Sequence, residues 1–477
     1  MGSQPQDYVL PDASAAHLIL TQPTEAEKNQ TWTLNHEEWG GALSLSEYLE
    51  REPYIASIPL AADGGMTHWI LTDPSVEAGS RPVLASGEST RKRVLYLPAA
   101  AAGSRGDAGE VKEGIAYGVG SIYTYPQFRG KRYASRLLRE LSVALRTWPQ
   151  RQGLAGKDGE GQQQQQQRHA VCSALWSDIG KDFYARKGWA AFPSLHVEFP
   201  VTVTTTTTAT NGQAATNGTA GGGDEEEEEK EKEKGGLTLT PVTYANLASL
   251  CEEDERILRA RLLPRAARAT GKTCVAFAPD HDAMRWHLYR DDFIASLVFG
   301  GRAGASEVKG AVAAASTVGG RTTKRVWAVW SRSYHGKDPD PASEEGRKNT
   351  LYILRLVIDD DAEEEEGEEE KKKKKEEGDG DGDGGGEDED LQRAFDAVLS
   401  AAVREARAWK LAKIDLWNPT PAARRLIDRC GREHRWVDRE VDSIPSLMWY
   451  GDGDGKEKEK EKEEEIEWVA NEKFCWC

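Results

Sequence analysis

The chain has 477 residues, a formal net charge of −18 and six cysteines. A chain of this length can bury two or three hydrophobic cores, so its folding requires neither disulfides nor a structural metal. The cysteines lack zinc-type spacing, and no apolar run approaches the roughly 18 residues of a membrane span. These patterns exclude a zinc module and a membrane-spanning protein, and predict a soluble, cytoplasmic one without a metal.

Most of the negative charge lies in three runs, 224–234, 359–390 and 452–465, which together carry about −23. The rest of the chain is mildly cationic, at about +5. A mildly cationic folded part is compatible with an anionic small ligand.

Low-complexity composition also divides the chain. Residues 200–236 change from an apolar pattern to threonine, glycine and charge, which predicts a linker between a first domain, 1–199, and a second, 237–477. Surface insertions are predicted at the glutamine run 162–167 and at the charged runs 359–390 and 452–465.

The first half begins with a helical region, followed by a hairpin predicted over 82–97, with Glu88 near its bend, and a strand over 114–125. An amphipathic helix is predicted next, ending before Pro149. Its apolar residues recur at helical spacing: Ala134, Leu137, Leu138, Leu141, Leu145 and Trp148.

A buried strand is predicted over 170–177, and a helix follows it. Asp178 is a candidate N-cap of that helix, and Gly188 stands where a helix ends in a left-handed residue.

The second half repeats this order. Strands are predicted over 350–358 and 410–418, and helices over 391–409 and 419–431. We therefore predict an α/β fold of the α+β type, with two similar domains that each have a mixed sheet flanked by helices. The second domain lacks the glycine turn described next, because the run 359–390 stands in its place.

A glycine turn between the 114–125 strand and its helix is the main chemical signal. A helix N-terminus presents unpaired N–H groups and the positive end of the helix dipole, which suits a pyrophosphate. The turn is neither a Walker A loop nor a dinucleotide-binding fingerprint. The predicted cofactor-binding residues of the turn are Arg129, Gly130, Lys131, Arg132, Tyr133 and Ala134.

The segment "QFRGKR", residues 127–132, resembles the pyrophosphate-binding signature of the GCN5-related N-acetyltransferases (GNATs), Gln/Arg-x-x-Gly-x-Gly/Ala. Arg132 departs from that signature, which has Gly or Ala there. The segment "DFYARKGW", Asp182 to Trp189, resembles the Phe-Tyr helix that closes the cofactor site in the same superfamily. The resemblance implies a GNAT-like first domain and a degenerate GNAT-like second one.

Further blocks, among them "WGGALSLSEYLERE", "APDHDAMRWHLYRDDF" and "EWVANEKFCWC", resemble the fungal lysine N6-acetyltransferases of lysine catabolism. The resemblance covers nearly all of the chain outside the low-complexity runs. It implies transfer of an acetyl group from acetyl-CoA to a small-molecule amine, with free L-lysine as the first candidate.

The resemblance also implies roles for particular residues. The strand end, Ile122, Tyr123 and Thr124, would pair with the pantetheine arm and polarise the thioester carbonyl. Tyr184 would be the general acid for the coenzyme A sulfur, and Glu88 is a candidate general base.

Several alternatives stay open at this point. His36 and Glu37 lie in the region that shapes the acceptor pocket in this fold, although surface or cap roles are ordinary for such residues. Asp280, His281, Asp282 and His287 could bind metal, or an Asp or His among them could cap a helix that carries Met284 and Trp286 inward. Cys477, through its carboxylate, is a further candidate base.

The function also has alternatives. The chain could acetylate protein or polyamines, or bind acyl-CoA without catalysis. The basic helix after the turn could instead bind nucleic acid, but the strand before it and "FYARKGW" after it argue against that. We therefore predict neither a nucleic-acid nor a membrane partner, and the sequence leaves the oligomeric state open.

Overall fold

The computed structural model describes residues 9–99, 109–151, 169–201, 236–267, 271–301, 307–316, 323–336, 338–359, 385–451 and 465–476. The predicted glutamine run and nearly all of the linker and charged insertions lie outside these residues. Among the described helices, none is both long and apolar enough to cross a membrane.

The described residues form two compact units. The first comprises Met1–His196, Ala248–Gly304 and Val437–Cys477, and the second Val197–Leu247 and Ala305–Trp436. Two segments of the predicted second domain therefore belong to the first compact unit. The division into sequence domains 1–199 and 237–477 stays a prediction.

The strands are numbered in chain order: β1 (Ile19–Thr21), β2 (Met66–Thr72), β3 (Ala85–Leu97), β4 (Lys112–Tyr123), β5 (Ala170–Ser177), β6 (Ala190–Ala191), β7 (Leu195–Pro200), β8 (Leu237–Val242), β9 (Thr273–Phe277), β10 (Gly310–Ala315), β11 (Lys324–Ser333), β12 (Thr350–Ile358), β13 (Lys413–Trp417), β14 (Arg435–Asp438), β15 (Ile444–Trp449) and β16 (Ile466–Trp468). The α-helices are α1 (Glu25–Trp39), α2 (Leu45–Ser57), α3 (Tyr133–Arg151), α4 (Asp182–Ala185), α5 (Tyr244–Ala267), α6 (His281–Val298), α7 (Gly385–Ala408) and α8 (Pro421–Arg429).

The first unit is built on a mixed sheet with strand order β1-β2-β3-β4-β5-β15-β6, in which β9 also pairs with β3 and β16 with β9. β4 and β5 are parallel, whereas β3 and β4 are antiparallel. Helix α3 packs Leu137, Leu138, Leu141 and Leu145 into the core beside this sheet, each 0% exposed. The helical spacing of these leucines is thus confirmed.

Three local predictions in this unit are wrong. The predicted hairpin over 82–97 is replaced by the uninterrupted strand β3, because Gly87 serves close packing: a Cβ there would lie 2.5 Å from Ile122 Cδ1. Helix α3 continues through Pro149 to Arg151. Asp178 accepts a hydrogen bond from Ser443 N rather than capping α4.

Other local predictions are confirmed. Gly188 has φ +99°, the left-handed conformation expected after the "FYARK" helix. Asp280 caps α6 by accepting a hydrogen bond from Ala283 N at 2.8 Å, and Met284 and Trp286 are buried, so the helix-cap interpretation holds.

The second unit contains a mixed sheet with strand order β14-β7-β13-β12-β11-β10-β8. β12 and β13 are parallel, which repeats the β4–β5 arrangement. The predicted strand 350–358 coincides with β12, and α8 begins after the cap Thr420 and is followed by Gly431 at φ +67°. The predicted mixed α/β class is confirmed for both units.

Candidate active site

The C-terminal half of β4 is paired on one side only. Its parallel pairing with β5 ends at Val119 and Leu175, whereas its antiparallel pairing with β3 continues to Tyr123, opposite Ser86. Within the part of the chain that the structure describes, residues 120–123 of β4 therefore present backbone N–H and C=O groups without a strand partner towards β5. An extended ligand can hydrogen-bond there as a short strand would.

A bulge bends β4 at this opening. The β3–β4 register shifts between Ser86 and Glu88, and Ser121 has φ +52°, a conformation that is unusual for a residue other than glycine. Such outliers persist only where the surrounding structure fixes them, and they concentrate at functional sites.

Glu88 lies on β3 beside this bulge rather than at a hairpin bend. Its carboxylate accepts a hydrogen bond from the Ser121 side chain. Burial raises the pKa of Glu88, and the Ser121 hydrogen bond and the charge of Arg51 oppose that rise. A carboxylate with a raised pKa is a stronger base than an exposed one and is therefore suited to accept a proton.

A small pocket opens at Glu88. It is bounded by β2 and β3 and by helix α1, with Lys28, Thr31, Asn35, His68, Glu88 and Ser121 among its lining residues. Burial, followed by the charge of Lys28, lowers the pKa of His68 to about 4. His68 is therefore neutral at physiological pH and adds no charge to the pocket.

The predicted pyrophosphate turn directly precedes α3. Gly130 has φ +77°, and a Cβ built on it would meet no atom within 4 Å. The open space at this left-handed glycine, together with the unpaired N–H groups of the first turn of α3, fits a bound phosphate.

Arg132, the residue that departs from the GNAT signature, also takes a left-handed conformation, with φ +67°. Left-handed backbone costs an L-residue about 1–2 kcal/mol, a cost that Gly, one of the two residues of the signature at this position, would avoid. The exposed side chain of Arg132 leaves the turn itself open.

The other residues of the turn have different roles. Arg129 folds back onto the strand end, donating hydrogen bonds to Thr124 O at 3.0 Å and to the Tyr123 hydroxyl at 3.1 Å. Tyr133 is 1% exposed and donates to Pro11 O, so its side chain belongs to the core and only its backbone could contact a ligand. Lys131 is exposed.

The strand end has one unsatisfied polar atom. Thr124 Oγ1 is buried and has no hydrogen-bond partner in the part of the chain that the structure describes. A buried hydroxyl without a partner costs free energy, so a ligand that hydrogen-bonds it would remove that cost.

Tyr184 lies on α4 in the same core cluster as the turn. Its side chain is 8% exposed, and Phe183 packs edge-on against it with ring centroids 5.1 Å apart. Burial, followed by the charge of Asp178, raises the pKa of Tyr184 to about 12. The phenol therefore keeps its proton at neutral pH.

Helix α2 adds a charged group that the sequence analysis missed. Arg51 forms an ion pair with Glu52, donates to Trp39 O at 3.3 Å, and lies over the ring of Tyr48, 4.2 Å from its centroid. Burial raises the pKa of Glu52. The positive charge of Arg51 opposes this rise, and the charge of Glu88 adds to it. Tyr48, Glu52 and Ile55 recur at helical spacing, and that recurrence was the available signal.

The segment near the C-terminus reaches the same unit. Lys92 on β3 donates to the carbonyl oxygens of Cys475 at 2.7 Å and Trp476 at 3.0 Å, and His287 on α6 bonds Phe474 O at 3.1 Å. Cys477 lies outside the described residues. His36 bonds Leu43 O at 2.9 Å and packs edge-on against Tyr48, whereas Glu37 is exposed.

Comparisons with known proteins identify related chains. The family model described as the LYC1 GNAT-like C-terminal domain matches residues 224–477. A lysine acetyltransferase from Yarrowia lipolytica is 26% identical over 185 residues, which are 38% of this chain and 42% of that protein. The match thus spans less than half of the curated relative.

Two solved structures align with most of this chain. One is a conserved protein of unknown function from Enterococcus faecalis V583, with 10% identity and a TM-score of 0.43. That alignment covers 90% of this chain and 72% of the other. A GCN5-related N-acetyltransferase from Kribbella flavida has 11% identity and a TM-score of 0.40 over 90% of this chain and 70% of that one.

Proposed function

The chain belongs to the family of the LYC1 GNAT-like C-terminal domain, and from that premise we propose that it is an N-acetyltransferase that moves an acetyl group from acetyl-CoA to an amine. The acceptor is the N6 amine of free L-lysine, in lysine catabolism, and the enzyme acts in the cytoplasm. The observation that carries the proposal is the one-sided pairing of β4 at residues 120–123, adjoining the open glycine turn before α3.

The two features lie next to each other in the sequence and suit the two parts of one ligand. The unpaired backbone of β4 would bind the amide-bearing pantetheine arm, and the N-terminus of α3 would bind the pyrophosphate. Acetyl-CoA supplies the activated acetyl thioester, and a backbone N–H of Ile122 to Thr124 would polarise its carbonyl oxygen.

Glu88 would act as the general base. The acceptor amine arrives as an ammonium, which has no lone pair and cannot attack a thioester. The half-buried Glu88 carboxylate, which accepts a hydrogen bond from Ser121 beside the bulge, would take one proton from that ammonium directly or through a water molecule.

Tyr184 would act as the general acid. When the carbon–sulfur bond of the thioester breaks, the coenzyme A sulfur leaves as a thiolate that needs a proton. The Tyr184 phenol, which burial keeps protonated, would donate that proton from its oxygen. The second proton that the nitrogen loses on becoming an amide would return the phenolate to the phenol.

A peptide or polyamine acceptor and acyl-CoA binding without catalysis are the competing functions. The test is coenzyme A release by the purified full chain with acetyl-CoA and each of lysine, ornithine, spermidine and a histone-tail peptide. We expect release with lysine to exceed the others, and mass spectrometry to locate the acetyl group on N6. Release with none of them would refute the enzymatic function, and preference for the peptide or spermidine would refute the acceptor.

A further inference from the structure

Arg290 lies on the face of α6 that packs against α2. Trp286, one helical turn before it, packs in a cluster with Ile55 of α2, and Phe293, one turn after it, stacks on Tyr54 with ring centroids 4.8 Å apart. Residues three and four apart share a helix face. Arg290 is therefore held on the face that contacts α2, near Arg51 and Glu52.

The guanidinium of Arg290 has an aromatic neighbour and interacts electrostatically with the carboxylates of Glu52 and Asp291. It lies over the ring of Trp476, 5.6 Å from its centroid. Among the residues that the structure describes, it makes neither a hydrogen bond nor an ion pair, although guanidinium carries five N–H donors. Burial, followed by the charge of Arg51, lowers the pKa of Arg290 to about 10, so it stays charged at neutral pH.

The surroundings of Arg290 include several cations besides these two carboxylates. The nearby His287 has a pKa well below its ordinary value, because burial and then the charges of Lys92, Lys473 and Arg290 disfavour its protonated form. The carboxylate of Glu52 is already engaged by Arg51. This end of the first unit is therefore suited to an additional anion.

Glu88 and Arg290 share two neighbours on α2. The hydroxyl of Tyr48 and the carboxyl of Glu52 are each within electrostatic range of both Glu88 and Arg290. Glu88, which can accept a proton, and Arg290, which forms no ion pair among the described residues, thus both interact electrostatically with the same two α2 side chains.

We propose that Arg290 binds the carboxylate of an amino-acid acceptor whose distal amine lies at Glu88, which makes it a specificity-determining residue. The inference rests on the proposed N-acetyltransferase function and narrows its acceptor to a free amino acid. A polyamine would place an ammonium beside Arg290 and Arg51, and a lysine within a peptide would offer a neutral amide there, so both would leave the guanidinium without an anion.

The test compares L-lysine with cadaverine, which is lysine without its carboxylate. For the wild type we expect kcat/KM to be higher with lysine. Arg290→Met should lower kcat/KM for lysine about 10- to 100-fold, mainly through KM, because a charge-assisted hydrogen bond is lost. The same substitution should leave kcat/KM for cadaverine unchanged or raise it. Arg285→Met is the matched control, since Arg285 is on the same helix but pairs with Asp282. It should change kcat/KM for neither substrate.

Calorimetric titration of the full chain with lysine and with cadaverine provides a readout that does not depend on turnover. We expect lysine to bind the wild type at least about 10-fold more tightly than it binds Arg290→Met. Equal losses for both ligands, or no loss for lysine, would overturn the role of Arg290 while leaving the acetyltransferase function standing. If no amine is acetylated, the proposed function fails, and the titration alone decides whether Arg290 recognises a carboxylate.

Discussion

Glu27 anchors helix α1, whose next two turns line the pocket. Its side chain is 0% exposed and accepts hydrogen bonds from Arg81 Nε and Nη2, both at 2.7 Å, and from Gly79 N at 3.0 Å. Burial alone would raise the pKa of Glu27, but the hydrogen bonds from Arg81, Thr24 and Gly79 outweigh it and lower the pKa from 4.5 to about 2.

The magnitude follows from this pKa. At about 1.4 kcal/mol per pKa unit, the difference corresponds to about 3 kcal/mol of folding free energy at neutral pH. Arg81 is 11% exposed, and water near it screens the pair, so we expect Glu27→Gln to cost about 2–3 kcal/mol. In the wild type both carboxylate oxygens accept hydrogen bonds. Glutamine keeps one acceptor oxygen, and its NH₂ group would face N–H donors and leave them without an acceptor.

The assay is urea unfolding followed by tryptophan fluorescence, at pH 7 and then at decreasing pH. Because the folded-state pKa is depressed, the stabilisation is present above about pH 4.5 and is lost as the pH falls through about 2. The difference between wild type and Glu27→Gln should therefore shrink towards zero as the pH approaches 2.

Glu25→Gln is the control on the same helix. Glu25 is 82% exposed and forms a surface ion pair with Lys28 at 2.7 Å, so its replacement should cost less than about 0.5 kcal/mol. Equal stability of wild type and Glu27→Gln at pH 7, or an equally large loss in Glu25→Gln, would refute the reasoning.

Three further predictions concern the candidate active site. Glu88→Gln should reduce kcat/KM about 10²- to 10⁴-fold and abolish the rise of kcat/KM with pH that deprotonation of Glu88 produces. Glu50→Gln, on the exposed side of α2, should change neither kcat/KM nor its pH dependence. An unchanged pH profile in Glu88→Gln would show that Glu88 is not the base. Tyr184→Phe should lower kcat about 10²-fold or more with little change in the acetyl-CoA dissociation constant, and full activity would remove Tyr184 from the mechanism. Gly130→Leu should raise the acetyl-CoA dissociation constant about 10-fold or more. Gly271→Leu, at φ +68° and in equally open space, should carry the same backbone strain without that effect. Equal dissociation constants for the wild type and Gly130→Leu would refute the pyrophosphate turn.

Short-range signals explain which parts of the fold could be predicted. The leucines of α3 recur every three or four residues and were located correctly, because helical spacing is a local property of the sequence. Gly188 was likewise found in a left-handed conformation, as its place after a helix indicates. The bend predicted near Glu88 is wrong, since a glycine in a strand can mark close packing as well as a turn, and Gly87 lies in close contact with Ile122 of the next strand.

The candidate site depends more on distant contacts. The turn at Gly130 lies within one segment and carries a recognisable pattern, so the sequence was enough to locate it. Arg51 and Arg290 are far apart in sequence and come near each other because α2 packs on α6; helical spacing marks the face of α2 beside Arg51, but no local pattern relates it to Arg290. The raised pKa of Glu88 likewise arises from burial that the folded unit creates.

Transfer of a labelled acetyl group from acetyl-CoA to free L-lysine by the purified full chain tests the central claim most directly. We predict catalytic formation of N6-acetyl-lysine with stoichiometric release of coenzyme A, and loss of that transfer in Glu88→Gln. The absence of labelled product in the wild type, under conditions where it binds acetyl-CoA, would contradict the account.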